Sequence, residues 1–320
     1  MNFLKKLKKL KGDASYRVFY RKKDSKSSSI IVYSKKDKKL NLLNYDSINK
    51  ILIKNNVAAP KLLSENYSKN YIEIQDFGDE TIFKLFNKKK INKISIYKNI
   101  INLLNRIQSV SQKKIINFKN QIYKIPKYTP KILVEEAKLF TEWYIDKKLK
   151  KSEQKKFKNS FYKIVNNLAK KINQKNDTFV HRDFHISNLM MLKNDIGIID
   201  SQDALIGNKA YDLASLIDDV RFKTSKKLKE NIYNHYLKVN NKKINKVILL
   251  NDFEILSVLR NMKIIGIFTR LAVRDNKIKY LKLIPYSWKL IELRIKNNEI
   301  FHNLKSLLDL NFTKKIRNLK

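Results

Sequence analysis

The sequence predicts an α+β fold in two lobes, a small antiparallel-sheet N-terminal lobe and a larger, mainly helical C-terminal lobe. Three observations support this. Residues 1–76 hold short alternating segments separated by polar turns, the pattern of half-buried strands. From Thr81 onward, apolar residues recur at helical spacing. That period breaks once, near Thr178, where short apolar strands surround a polar loop. The lobes are drawn at 1–76 and 83–320, joined by a hinge at 77–82.

In chain order, residues 1–10 place Phe3, Leu4, Leu7 and Leu10 at helical spacing, which predicts a short amphipathic helix. Gly12 interrupts it and opens the turn Gly12-Asp13-Ala14-Ser15-Tyr16-Arg17. Residues 16–20 and 29–33 alternate and predict a hairpin with a long polar turn. Residues 45–56 predict a helix, stopped before Pro60. Residues 61–64 and 71–75 are further strands, and 76–80 form a turn around Gly78. Helices are expected at 81–87, 93–110, 131–148 and 152–174, with an irregular stretch over 112–130 that contains Pro126 and Pro130. Residues 178–180, 189–192 and 196–199 read as short strands, the last two flanking a turn at Lys193-Asn194-Asp195. Helices resume at 211–219 and continue to the end.

The chain has 320 residues, 43% of them hydrophobic, enough for a sizeable core. It contains no cysteine, which excludes disulfide scaffolds, thiolate zinc sites and cysteine nucleophiles. No apolar run of about 18 residues occurs, so no membrane-spanning helix is expected. The basic start lacks the apolar stretch of a signal peptide. The expectation is a cytoplasmic monomer. The formal charge of +41 invites a nucleic-acid-binding reading. However, 60 of the 70 basic residues are Lys and ten are Arg. The Lys are spread along nearly every segment beside abundant Asn and Ile, as a whole-chain compositional drift would leave them. Without a nucleic-acid-binding motif, no specific nucleic-acid partner is expected.

The exception to this basic background carries the chemistry. Between Asp177 and Asp219, eight aspartates oppose Arg182, Lys193 and Lys209, a local charge of −5. Short carboxylates suit metal coordination, caps and catalytic bases, and the island is where a divalent cation could sit. Inside it, His181-Arg182-Asp183-Phe184-His185-Ile186-Ser187-Asn188 fits a catalytic loop in which His-Arg-Asp is followed by Asn five positions after the Asp. Asp200 lies 17 residues beyond Asp183, at the end of an apolar strand. Phosphoryl transfer needs one carboxylate to orient or deprotonate the attacking hydroxyl, and oxygen ligands to hold Mg²⁺ on the nucleotide phosphates. Asp183 suits the first task, and Asn188 and Asp200 the second. The turn between the two strands would bring Asn188 and Asp200 to one end. Competing readings make Asp183 a cap and Asn188 a turn former, or assemble His181, His185, Asp183 and Asp200 into a metal cluster.

The block HRDFHISN followed by IIDSQDALIGNKAYDLASLIDD resembles the aminoglycoside phosphotransferase superfamily, which has a protein-kinase-like fold. The stretches GDASYRVFYR (12–21), IQDFGDETI (74–82), LVEEAKLFTEWYI (133–145) and KIIGIFTRLAVRDNKIKYL (263–281) resemble its bacterial cell-wall amino-sugar kinases. Those enzymes phosphorylate the anomeric hydroxyl of N-acetylmuramate and N-acetylglucosamine in peptidoglycan recycling. The resemblance implies an ATP- and Mg²⁺-dependent kinase of a small sugar, with 1–76 as the nucleotide-binding lobe. It implies catalysis by Asp183, metal binding by Asn188 and Asp200, and nucleotide contacts from Gly12, Ser15, Arg17 and Gln75. Substrate contacts would come from His185, Gln202, Asp203, Arg270 and Arg274. The chain departs from the family in having Ser201 where an aromatic usually follows the strand-end aspartate. It also has Tyr33 where a kinase would be expected to carry a third-strand lysine. A choline- or aminoglycoside-type kinase of the same fold, and a Lys-rich nucleic-acid-binding protein, are the alternatives.

Overall fold

The structure is a computed structural model describing residues 7–10, 17–25, 27–88, 91–241 and 244–317. The chain divides into two compact units, Met1–Lys127 with Thr178–Ile206, and Tyr128–Asp177 with Gly207–Lys320. The stretch 77–82 lies inside the first unit.

The first unit is built on an antiparallel sheet of β1 (Lys8–Lys9), β2 (Val18–Lys23), β3 (Ser28–Tyr33), β4 (Leu62–Asn66) and β5 (Tyr71–Gln75), in the order β1-β2-β3-β5-β4. Lys8 pairs with Arg21 and Lys9 with Tyr20, so the described end of the expected 1–10 helix is instead a strand. The backbone explains this. The edge of β2 offers ready partners, Leu10 donates to the Phe19 carbonyl at 2.8 Å, and a helix this short pays heavily for nucleation. Strand β2 runs on to Lys23 because a bond from Asp24 N–H to the Ser27 carbonyl, at 2.9 Å, tightens the turn. Ile30 lies opposite Ile74 and Val32 opposite Ile72. These four join Leu42 and Tyr45 of α1 (Leu40–Lys54) in one apolar cluster. Helix α1 begins ahead of residue 45 because Leu42 and Leu43 extend its buried face. Helices α2 (Ile82–Lys88) and α3 (Lys93–Gln108) follow.

The expected irregular stretch 112–130 contains a small hairpin of β6 (Lys114–Ile116) and β7 (Ile122–Lys124), with Ile115 opposite Tyr123. Two asparagines make its turn. Asn120 adopts φ 56°, and Asn117 Oδ1 accepts from the Lys119 and Gln121 amides. Four short strands complete this unit's end of the fold, β8 (Thr178–Val180), β9 (Leu189–Met191), β10 (Ile196–Ile198) and β11 (Leu205–Gly207), paired β9 with β10 and β8 with β11.

The second unit is helical: α4 (Pro130–Leu139), α5 (Lys151–Lys170), α6 (Ala210–Ile217), α7 (Lys226–Val239), α8 (Lys246–Val273), α9 (Ile284–Ile295) and α10 (His302–Asn311). Helix α8 is buried on most of its circumference, as a central helix must be. The single helix expected over 131–148 is present from Pro130 to Lys148, but its winding changes within it. Helix α4 passes into a π-helical stretch, Phe140–Ile145, which packs Phe140 and Tyr144 among Phe157, Phe161, Trp288 and Phe312. Trp288 Nε1 donates to the Tyr144 hydroxyl at 3.1 Å within that cluster. Here α8 touches the junction backbone to backbone: a Cβ on Gly266 would lie 2.2 Å from the Leu139 carbonyl oxygen. No helix among the described residues is long and apolar enough to cross a membrane.

Gly266→Ala should therefore lower stability by about 3 kcal/mol or more, since the clash is with backbone and no rotamer change relieves it. Chemical denaturation checks this, and an unchanged midpoint would show that the two helices can separate freely.

Candidate active site

The catalytic-pattern loop is positioned by backbone on both sides. Strand β8 delivers His181 from the interior, where Thr178, Phe179 and Val180 are all buried. The antiparallel pair β9/β10 sets Leu189 opposite Ile198, and the Ile199 amide donates to the Asn188 carbonyl at 3.0 Å. Asn188 and Asp200 therefore emerge at the same end of the hairpin. Within the loop, His185 N–H donates to the Asp183 carbonyl at 3.0 Å and Asn188 N–H to the His185 carbonyl at 2.9 Å. Three bonds anchor the assembly from outside: Phe83 N–H to Ile186 O, Met191 N–H to Glu80 O, and Ile198 N–H to Ala58 O. Gly197 is required by close approach, because a Cβ there would lie 2.7 Å from the Phe77 ring.

Asn188 Nδ2 donates to the Asp183 carbonyl at 3.0 Å. That contact orients the amide, leaving Oδ1 as the atom for a cation. The Asp200 side chain is 34% exposed. An amide oxygen and one carboxylate are a fitting donor set for Mg²⁺, which keeps water and substrate phosphate in its remaining positions. Asp200 Oδ1 accepts from Arg17 Nη2 at 2.5 Å, and Arg17 Nη1 donates to Gln202 Oε1. Gln202 is buried and passes the contact on, donating from Nε2 to Asp203 Oδ2 at 2.7 Å. Asp203 itself is exposed. Burial pushes the neighbouring Tyr45 phenol up to about 12, partly offset by the Arg17 charge. Ser201 is fully buried and donates to Asn49 Oδ1 of α1 at 2.5 Å, which accounts for a small hydroxyl residue where an aromatic is usual. Burial also pulls the His181 pKa down, against the raising influence of Asp183 and Asp200.

The remaining expected site residues that are described lie on several elements. Gly12 and Ser15 lie outside the described residues. Gln75 ends β5 with an exposed side chain, its amide donating to the Lys61 carbonyl at 2.9 Å. His185 is buried beneath the loop. Arg270 and Arg274 belong to the second unit. Arg270 is half-buried on α8, while Arg274 is exposed and bonded to Asp275 at 2.7 and 2.9 Å.

The acidic island is not one cation site. Asp195 is held by Arg106 at 2.6 and 3.0 Å. Asp218 is buried against Lys229, Arg294 and Ser257, and these partners outweigh burial and hold its carboxyl at about 2. Asp219 is buried and pushed up by that burial. Among the described residues, no three His, Asp or Glu side chains converge on a metal position, the cluster of His181, His185, Asp183 and Asp200 included. Sequence charge alone could not separate these carboxylates, because their roles differ in burial. Arg21 of β2 holds the adjoining turn. It lies 2.6 Å from Asp76 and 2.7 Å from Asp79, clamping the 76–79 turn to β2.

The chain is similar to several known proteins. The profile of the phosphotransferase enzyme family matches residues 6–243. The N-acetylmuramate/N-acetylglucosamine kinase of Neisseria meningitidis serogroup B is 27% identical over 280 residues, 85% of this chain and 80% of that protein. The protein of the same name from Pseudomonas aeruginosa is 24% identical over 301 residues, 92% of this chain and 86% of its own. Among solved structures, an amicoumacin kinase bound to AMP-PNP and Ca²⁺ has a TM-score of 0.62 at 13% identity, covering 90% of this chain and 89% of that one. A choline/ethanolamine kinase family protein from Mesorhizobium loti has a TM-score of 0.62 at 10% identity, covering 94% and 92%. The fold is the α+β, protein-kinase-like one.

The depressed His181 pKa makes a pH prediction. A histidine kept neutral by burial contributes stability fully present above its unfolded value, about 6.5, and lost as pH falls towards its folded value. Unfolding free energy should decline from pH 7 to pH 5, with a slope of at most about 1.4 kcal/mol per pH unit from this one group. His181→Asn should flatten that slope in denaturation curves taken across the range. An equal slope in both proteins would assign it elsewhere.

Proposed function

We propose that this chain, which belongs to the phosphotransferase enzyme family and is a kinase, transfers the terminal phosphoryl group of ATP to the anomeric hydroxyl of an amino sugar. N-Acetylmuramate and N-acetylglucosamine are the substrates that the names of its relatives support. Peptidoglycan recycling in the cytoplasm is the setting we propose from the sequence resemblance alone. The observation that carries phosphoryl transfer is the hairpin end at which Asn188 and Asp200 emerge, with the Asn188 amide bonded to the backbone of Asp183.

Asp183 accepts the proton of the sugar hydroxyl as its oxygen attacks phosphorus. The Asn188 amide oxygen and the Asp200 carboxylate would hold Mg²⁺, which would neutralise charge on the phosphates. ATP and a divalent cation fit kinases of this fold, as the complex with AMP-PNP and Ca²⁺ illustrates. The stretch 12–17 and Gln75 serve the nucleotide. His185, Gln202, Asp203, Arg270 and Arg274 serve the sugar.

A cationic acceptor such as choline or an aminoglycoside would need unengaged carboxylates in the helical unit. Most of the acids on its later helices are already committed. Asp252 accepts the Asn173 and Gln174 amides and the Asn208 side chain, and Glu254 accepts from Asn298. Asp275 binds Arg274, and Glu292 and Asp309 both bind Arg317. A neutral or acidic sugar fits this unit better.

ATP consumption with N-acetylmuramate, N-acetylglucosamine, choline and kanamycin, followed by NMR of the product, tests the reading. Turnover of the amino sugars to an anomeric phosphate is expected, whereas a C6 phosphate or choline-only turnover would reject it. Asp183→Ala should lower turnover by about 10²–10⁴-fold while nucleotide affinity holds. In Asp200→Ala the Mg²⁺-dependent part of that affinity should disappear, measured by calorimetry. Wild-type rates in Asp183→Ala would remove it from the base role.

A further inference from the structure

Strand β3 carries no lysine, and Tyr33 ends it. An arginine just ahead of the neighbouring strand reaches the Asp200 carboxylate instead. Arg17 stands directly before β2, is 5% exposed, and among the described residues its guanidinium reaches Asp200 Oδ1 at 2.5 Å and Gln202 Oε1. Its guanidinium carbon also lies 5.7 Å from the centres of both the Phe19 and Tyr45 rings. Two hydrogen-bonded anchors and two ring neighbours fix the plane of the fork. Asp200 sits differently. Its side chain is 34% exposed, so the carboxylate is held by the buried cation and still open to solvent. Its backbone is left-handed, at φ 66°, a strained conformation that needs outside support.

We infer that Arg17 is the positioning residue for Asp200. It acts on nucleotide binding through the metal carboxylate, not by touching the phosphates as a third-strand lysine would. The inference rests on the kinase reading above and deepens it by naming what orients the metal ligand. A buried guanidinium with two ring neighbours and two acceptors is a fixed counter-charge, not a latch that must leave before the cation arrives. The bidentate reach also explains why this position holds Arg in a chain rich in Lys. A lysine ammonium is a point charge and cannot keep Asp200 and Gln202 in one plane.

The test is calorimetric, on the full chain, with ADP and a non-hydrolysable ATP analogue, each in Mg²⁺ and in EDTA. Mg²⁺-assisted tightening in the parent protein tests the kinase reading, and the ratio of variant to parent tests Arg17. In Arg17→Gln the Mg²⁺-dependent gain in affinity should fall roughly 10–100-fold, the usual cost of losing a partner of a metal ligand. Affinity in EDTA should be little changed, and Arg17→Lys should recover only part of the loss. If Arg17→Gln is too unstable to purify, Gln202→Leu removes one anchor of the guanidinium, and a smaller loss of the same Mg²⁺-dependent kind is expected. Two results overturn the inference. A full Mg²⁺ gain in the variants with a lowered melting temperature would make Arg17 a structural staple. Equal loss with and without Mg²⁺ would make it a direct phosphate contact.

Discussion

The site depends on two residues being kept in left-handed backbone, Arg182 at φ 74° and Asp200 at φ 66°. Such a conformation costs about 1–3 kcal/mol in a non-glycine residue and survives only where its surroundings over-determine it. The other non-glycine residues with positive φ in the described chain are Asn56, Asn70, Asn120 and Asn276, the residue type that tolerates it best. The two that are not asparagine bracket the His181–Asn188 loop and the β9/β10 hairpin. Their support is visible. The Ile199 amide bonds to Asn188 on one side of Asp200, Ile198 bonds to Ala58, and Arg182 Nη1 reaches the Asp203 carbonyl at 3.3 Å.

Because backbone holds the frame, the side chains beneath can be chosen for fit. Ser201 and Asn49 illustrate this. The Ser201 hydroxyl donates to Asn49 Oδ1, and Asn49 Nδ2 donates to the Pro60 carbonyl at 3.0 Å, so the hairpin end, α1 and the entry to β4 share one buried network. Each polar atom named there has a partner, which is what makes the network stabilising and not costly. The aromatic bulk at this corner comes from Tyr45 of α1, 2% exposed beside Arg17. A small residue after Asp200 and a large one on α1 are thus two halves of one packing solution.

How much of this was legible in the sequence follows from the range of each interaction. The hairpin around Lys193-Asn194-Asp195 was readable because its strands, its turn and the residues it presents are contiguous. The strand at Lys8–Lys9 was not, since its partner on β2 is what makes it a strand and helical spacing was the stronger local signal. The hairpin at 114–124 had a signal in Asn117 and Asn120, hidden by the two prolines that follow. The π-helical stretch at Phe140–Ile145 could not be read at all, because the residues packed on it, Gly266 and Trp288, lie far along the chain. The same holds for Asp218: its residue type and neighbours looked like those of Asp200, and only burial beside Lys229 and Arg294 separates them.

The basic composition resolves in the same way. Lys supplies most of the +41, and its many exposed positions carry little geometric demand. The arginines are different. Arg17, Arg21, Arg106, Arg274, Arg294 and Arg317 all make ion pairs, several of them two-pronged or shared between two acceptors. A drift that converts arginine to lysine wherever a point charge suffices leaves arginine where a planar fork is needed. Residue identity then marks geometry: among 70 basic side chains, the ten arginines are where paired acceptors should be sought, and Arg17 on Asp200 is the one that leads to the chemistry.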